Sequence, residues 1–173
     1  MLRVASLLSV VVAVMLAGRA ISAQDKYTVQ VPGGLAFSDF RGYENWEVVS
    51  VSLAEDVMAV ILANPVMIEA YKSGIPGNGK PFPDGSKTAK IHWKLKKSID
   101  APAPTSVPDV LHDVDFMVRD SKRFPNGNWG YAQFNYDTAS DTFAPEGTGA
   151  DCGTACHTLV TAKDYVFTAY QKK

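Results

Sequence analysis

The chain has 173 residues, with 17 basic and 18 acidic side chains, and carries a formal charge of −1 at pH 7. That balance leaves no basic face for a nucleic-acid backbone and argues against such a partner. The chain opens on Arg3, then an apolar run from Val4 to Leu16, then the small residues Ser22 and Ala23. This is the layout of a secretory signal peptide over residues 1–23, with the apolar run short for a membrane span and an uncleaved N-terminal anchor as the alternative. Its removal takes Arg3 and Arg19 away, so the charge of the remainder moves from −1 to −3. Residues 24–173 then suffice for a single domain with its own core and no stable membrane span.

Residues Tyr27 to Val31 alternate and predict a short strand that ends at Pro32-Gly33-Gly34. Trp46 to Leu53 and Met58 to Leu62 are rich in β-branched and apolar residues and read as strands. Asn64-Pro65 pairs an N-cap with proline at the first helical position, predicting a helix that stops near Gly74. Residues 75–85 are dense in Gly and Pro and form a loop. The clearest alternation follows, with Thr88, Lys90, His92 and Lys94 on one side and Ala89, Ile91, Trp93 and Leu95 on the other. The cluster Lys87, Lys90, Lys94, Lys96 and Lys97 fits a solvated strand face. Residues 99–108 read as an extended connection, because its prolines remove ladder donors.

Val114, Phe116 and Val118 alternate with Asp115, Met117 and Arg119, and Trp129 to Tyr136 is aromatic; the two predict a hairpin about Asn126-Gly127-Asn128. A loop from Asp137 to Asp151 leads to the cysteines, beyond which Leu159, Ala162, Val166 and Tyr170 recur at helical spacing. The fold class is α+β: an antiparallel, curved sheet with a few flanking helices and a C-terminal helix after the cysteine motif.

The chemistry concentrates at Cys152-Gly-Thr-Ala-Cys156-His157. Haem c attachment needs two thiols for the vinyl groups and a histidine beside the second, usually as Cys-x-x-Cys-His. Here the spacing is one residue longer. Three readings stay open on spacing alone. The first is covalent haem with His157 as axial iron ligand. The second is a Cys152–Cys156 disulfide, the default in an oxidising compartment. The third is a metal site needing more ligands, with His92 and His112 distant in sequence.

The chain resembles the cytochrome P-460 family, which includes cytochrome c′-beta. The resemblance rests on Tyr43-Glu-Asn-Trp46, Phe82-Pro-Asp-Gly-Ser-Lys-Thr-Ala-Lys90 and Val118-Arg-Asp-Ser-Lys-Arg-Phe124, then Gly127-Asn-Trp-Gly130, Cys156-His-Thr158 and Ala162-Lys-Asp-Tyr-Val-Phe-Thr168. These blocks stand in the family's order over nearly all of the chain after residue 23. The resemblance implies covalent haem c on Cys152 and Cys156, His157 as proximal ligand, and Lys90 as the lysine that namesake enzymes join to the haem edge. A solvated strand lysine is the competing reading of Lys90. Glu146 and Asp151 are candidate distal carboxylates for proton transfer, unless they are only loop residues. Phe82 and Phe124 could form an apolar distal face, and Arg123 could pair with a haem propionate.

The expected function is a periplasmic haem c oxidoreductase that oxidises hydroxylamine, or nitric oxide, at a pentacoordinate iron and passes electrons to a soluble cytochrome. The alternatives are a c′-beta type protein binding nitric oxide or carbon monoxide without turnover and, more remotely, a haem-free disulfide-bonded envelope protein. A homodimer is expected by resemblance.

Overall fold

The computed structural model describes residues 23–146 and 149–171, and for residues 149–152 the backbone. Residues 1–22 of the expected signal peptide lie outside the described residues. Among the described residues no helix is long and apolar enough to cross a membrane.

Six strands follow one another in space as they do in sequence. They are β1 (Glu47–Ala54), β2 (Val57–Ala63), β3 (Lys87–Lys97), β4 (Ser106–Arg119), β5 (Trp129–Asp137) and β6 (Thr142–Pro145). Every pairing is antiparallel, giving an open, curved meander. Helix α1 (Pro65–Lys72) sits between β2 and β3, and α2 (Gly149–His157) follows β6. Asn64 is the N-cap expected for α1: its side chain accepts from the Met67 and Lys87 amides and donates to the Gly85 carbonyl. One residue therefore fixes the helix start and the entry to β3 together.

Four local expectations are corrected. Tyr27 to Val31 is not a strand; Lys26–Thr28 is a 3-10 turn, because the Asp25 carboxylate accepts from the Tyr27 amide and draws the chain into a local turn. A single bridge, Gln30 to Ala36, is the sheet-like pairing left in this segment. The connection at 99–108 is shorter than expected, since β4 begins at Ser106 and includes Pro108. That proline falls where the β3–β4 register slips, so its missing donor disturbs pairing that is already irregular. The loop at 137–151 contains β6, four residues paired to the end of β5. After the cysteines the chain is helical, but only as a 3-10 stretch over Thr158–Lys163. Asp164 and Tyr165 both take positive φ, at 50° and 64°, and end it.

The sheet separates two cores. On one face Phe37 and Phe40 from the N-terminal segment pack on Phe116, Phe134, Val114 and Ala89. Phe40 stacks on Phe116 at 4.1 Å, and Phe37 meets the same ring edge-on at 5.1 Å. On the other face α1 and the C-terminal segment cover Ile61, Ala63, Met117 and Trp129 through Met67, Tyr71 and Val166. The cysteine motif lies on this second face.

Candidate functional site

Strand alternation sends Thr88, Lys90 and His92 of β3 to the second face, while Ala89 and Ile91 join the aromatic core. The register then sets a row across the sheet, Ile61–Lys90–Asp115–Gln133, one residue from each of β2, β3, β4 and β5. Helix α2 lies over β5, and its close approach depends on Gly153. A Cβ there would stand 2.4 Å from both Cβ and Cγ of Tyr131. This brings His157, at the helix end, over the row.

Between the sheet, α2 and the C-terminal segment lies a crevice with two lobes, of about 420 and 300 Å³. Lys90, Asp115, Met117, His157 and Phe167 line both. The first lobe is bounded by Ser50 and Ile61 and by Val166 and Thr168, the second by Tyr131, Gln133, Gly153 and Cys156. Together the lobes are of the size that holds a bound cofactor, about 300–1,000 Å³.

His157 is fixed on three sides. Its Nδ1 lies 2.6 Å from the Tyr165 carbonyl oxygen, which can only accept, so Nδ1 carries the proton. Nε2 is thereby left with its lone pair, the tautomer a metal-binding histidine needs. The Tyr131 ring lies 4.8 Å away at a tilt and Phe167 packs edge-on at 5.0 Å. Burial lowers the His157 pKa, Lys90's charge lowers it further, and the Tyr165 hydrogen bond opposes both. The imidazole is held neutral.

The Tyr165 carbonyl is itself anchored. Asp164 accepts from the Arg119 guanidinium at 3.1 Å and from the Phe82 amide at 2.7 Å. Arg119 and Asp164 are both largely buried, so β4 pins the segment that orients His157.

Asp115 is the carboxylate that faces Lys90 across the strands. Burial, then the charge of Asp113, push its pKa up to about 6. Among the described residues its Oδ1 is buried without a hydrogen-bond partner, and so is the Tyr131 hydroxyl oxygen. Two orphaned polar atoms on residues lining one crevice fit a site shaped for a bound polar group. Phe167 is half exposed and offers apolar surface for a planar ligand to cover. The residues fit a haem: a neutral imidazole, a flat apolar wall, unpartnered polar atoms and a nearby thiol.

Of the residues singled out in the sequence, His157, Cys156 and Lys90 meet at this crevice. Cys156 is exposed with a free thiol rather than one tied in a disulfide. Position 152 lies one helical turn earlier on α2, so the lengthened spacing keeps both cysteine positions on one helix face. The side chains of Cys152 and Asp151 lie outside the described residues. Glu146 is exposed beyond β6, near enough for its charge to raise the Asp115 pKa.

Phe82 is fully buried against Tyr71 and Trp129 in the second core and lines neither lobe. Phe124 packs against the aromatic core. Arg123 is engaged elsewhere: it pairs with Asp39 at 3.1 Å and donates to the Gly34 carbonyl, binding the N-terminal segment. His92 and His112 meet each other through Asp113 and do not line the crevice with the cysteine motif. Asp115 and Tyr131 are the site residues that sequence reasoning missed. The signal for Asp115 was its alternation with Val114 and Phe116, which puts an acid on the same face as Lys90.

The family model described as Cytochrome P460 matches residues 40–168. No curated protein matches the chain. The match implies a haem cofactor.

Proposed function

The chain belongs to the cytochrome P460 family, and on that premise we propose that it is a periplasmic haem c oxidoreductase that oxidises hydroxylamine, or nitric oxide. The observation that carries this reading is the meeting of a neutral, oriented His157 with Lys90 and Asp115 around one crevice. His157 would ligate iron through Nε2, and Cys156, with Cys152, would hold the group by thioether bonds. Haem bound there supplies an open iron position and one-electron chemistry.

The chain's own residues do the rest. Tyr165 fixes the imidazole tautomer through its carbonyl, and the Tyr131 and Phe167 rings prevent its rotation. Hydroxylamine must lose protons as it is oxidised, and Asp115, with a pKa of about 6, can hold one near neutral pH. Asp115 joins Glu146 and Asp151 as a candidate for the proton-transfer carboxylate. Lys90, directly opposite Asp115 in the β3–β4 register, would be the residue that joins the haem edge. Electrons would leave to a soluble cytochrome.

A second reading has its own support. Ile61, Met117, Val166 and Phe167 make an apolar wall in the first lobe, which suits a neutral diatomic. On this reading the protein binds nitric oxide or carbon monoxide without turnover.

The absorption spectrum of protein matured in a periplasm with haem c attachment decides between them. A ferrous Soret band far to the red, returning to an ordinary pentacoordinate position in Lys90→Met, together with hydroxylamine-dependent reduction of an electron acceptor, is expected. Attached haem with an ordinary wild-type spectrum and no turnover would favour gas binding. A chain that retains no haem would overturn both.

A further inference from the structure

From the wall of the crevice a row of four titratable side chains leads outward. Asp115 lines both lobes. The Nδ1 of His92 is 3.9 Å from Asp115 Oδ2 and is hydrogen-bonded to Asp113 Oδ1. The other oxygen of Asp113 is hydrogen-bonded to Nδ1 of His112. Asp113 is buried, whereas the His112 side chain is 46% exposed. The row therefore runs from cavity to solvent.

Its geometry depends on a feature that regular pairing would not produce. His92 pairs with Asp113, but Trp93 pairs with Leu111, so His112 is an extra residue bulged out of β4. In a regular strand His112 and Asp113 would point to opposite faces. The bulge brings the imidazole round to its neighbour's carboxylate, the kind of re-aiming for which bulges are found beside active sites. Among the described residues, His92, Asp113 and Asp115 have ligand atoms within 4.8 Å of one another; His112 extends them into a line rather than closing a cage.

We propose that Asp115, His92, Asp113 and His112 form a proton relay between the crevice and solvent, a reading that rests on the crevice being the haem site. His92 first hands its Nδ1 proton to Asp113 Oδ1, and the lone pair this frees then takes the proton of Asp115, whose Oδ2 lies 3.9 Å away. Asp113 passes one to the Nδ1 lone pair of His112, and the exposed imidazole releases its Nε2 proton to water. Each hop moves a single proton, and no residue changes oxidation state. The groups facing Asp115 suit the cavity end: Lys90 and His92 from β3, Asp113 from its own strand, and Glu146 beyond β6. Burial opposes a charge on Asp113, but the hydrogen bonds from His92 and His112 outweigh it and hold this carboxyl below its usual range. The midpoint of the relay thus gives a proton up readily.

The test uses the ferrous holoprotein oxidised by ferricyanide near pH 6 in weakly buffered solution with a pH-indicator dye. The electron goes to ferricyanide, and the added positive charge at the iron expels the proton from Asp115. In the wild type, proton release should follow haem oxidation closely. His112→Ala should slow release at least tenfold with the oxidation rate and spectrum unchanged, and added imidazole should restore it. His92→Gln should slow it equally without rescue, since that position is enclosed. Release at the wild-type rate in His112→Ala overturns the relay, as does release that a chelator alters, which would make the cluster a cation site. A protein without haem overturns the functional reading instead, and its spectrum reveals this before any proton is measured.

Discussion

The cysteine helix crosses the sheet at a residue with no side chain, so Gly153→Ala is a sharp test of how the site is built. The added Cβ would meet Tyr131 Cβ and Cγ at 2.4 Å and Cδ1 at 2.9 Å. Ordinary carbon–carbon contact is about 3.5–4.0 Å, so α2 must back away from β5 by about 1 Å. Rotating the Tyr131 ring gives no relief, because Cβ is fixed to the strand. Gly130 makes the contrast: the atoms nearest its built Cβ all belong to the Phe124 ring, which can swing. Overpacking of this kind costs about 1–3 kcal/mol. In a domain of this size that is a fall in Tm of about 2–12 °C. The same shift would loosen the 4.8 Å contact between Tyr131 and His157. Thermal unfolding by circular dichroism, with the Soret band recorded alongside, measures both effects. A Gly153→Ala protein that melts within a degree of wild type with an unchanged Soret band would refute the argument.

Two further perturbations address the supports of the site. Arg119→Met leaves the Asp164 carboxylate buried with only the Phe82 amide, and should cost about 3 kcal/mol in urea unfolding. Asp164→Asn should cost less, because asparagine tolerates the positive φ and keeps an acceptor. Asp115 makes a pH-dependent contribution. Its folded pKa, about 6, lies above the ordinary 3.8, so the native state holds this proton more tightly than the unfolded chain. The group therefore destabilises progressively as pH rises from about 4 to 6, and fully above that. Asp115→Asn should gain stability over wild type across the same window. With the Asp115 side chain 35% exposed, screening holds that gain to about 1–2 kcal/mol. Denaturant midpoints at pH 4 and pH 7.5 check this; a gain at pH 4 that vanishes at pH 7.5 would contradict the sign.

The elements with strong periodicity were legible from sequence. The alternation in β3 separates Lys90 from Ile91, and Asn64-Pro65 marks the start of α1, because both signals are local. The N-terminal turn was misread because Asp25 competes for the Tyr27 amide with the strand that Tyr27 to Val31 spells out. β6 is too short to carry a period. The end of the C-terminal helix was hidden because Leu159, Val166 and Tyr170 keep helical spacing across a break set by two backbone torsions at Asp164 and Tyr165. At the site, the signals that mark His157, Cys156 and Lys90 are local, a motif and a strand face, and the structure brings the three to one crevice. Asp115 was not legible, because its importance comes from which residue pairs with Lys90. The packing of Arg123 and Phe82 was hidden for a similar reason: nothing near them in sequence indicates that Asp39 and Tyr71 are their neighbours.

The strictly sequential order of the meander has a kinetic consequence. Each strand pairs only with the one before or after it, so the sheet can zip through short loop closures, a topology that favours rapid folding. The crevice obeys a different timetable, since His157 must come back onto Lys90 from 67 positions along the chain. Scaffold and site are therefore separable in time, and pulse-labelled hydrogen exchange should find β2–β4 amides protected before those of α2. Until that last closure the Cys156 thiol stands clear of a sheet that is already formed.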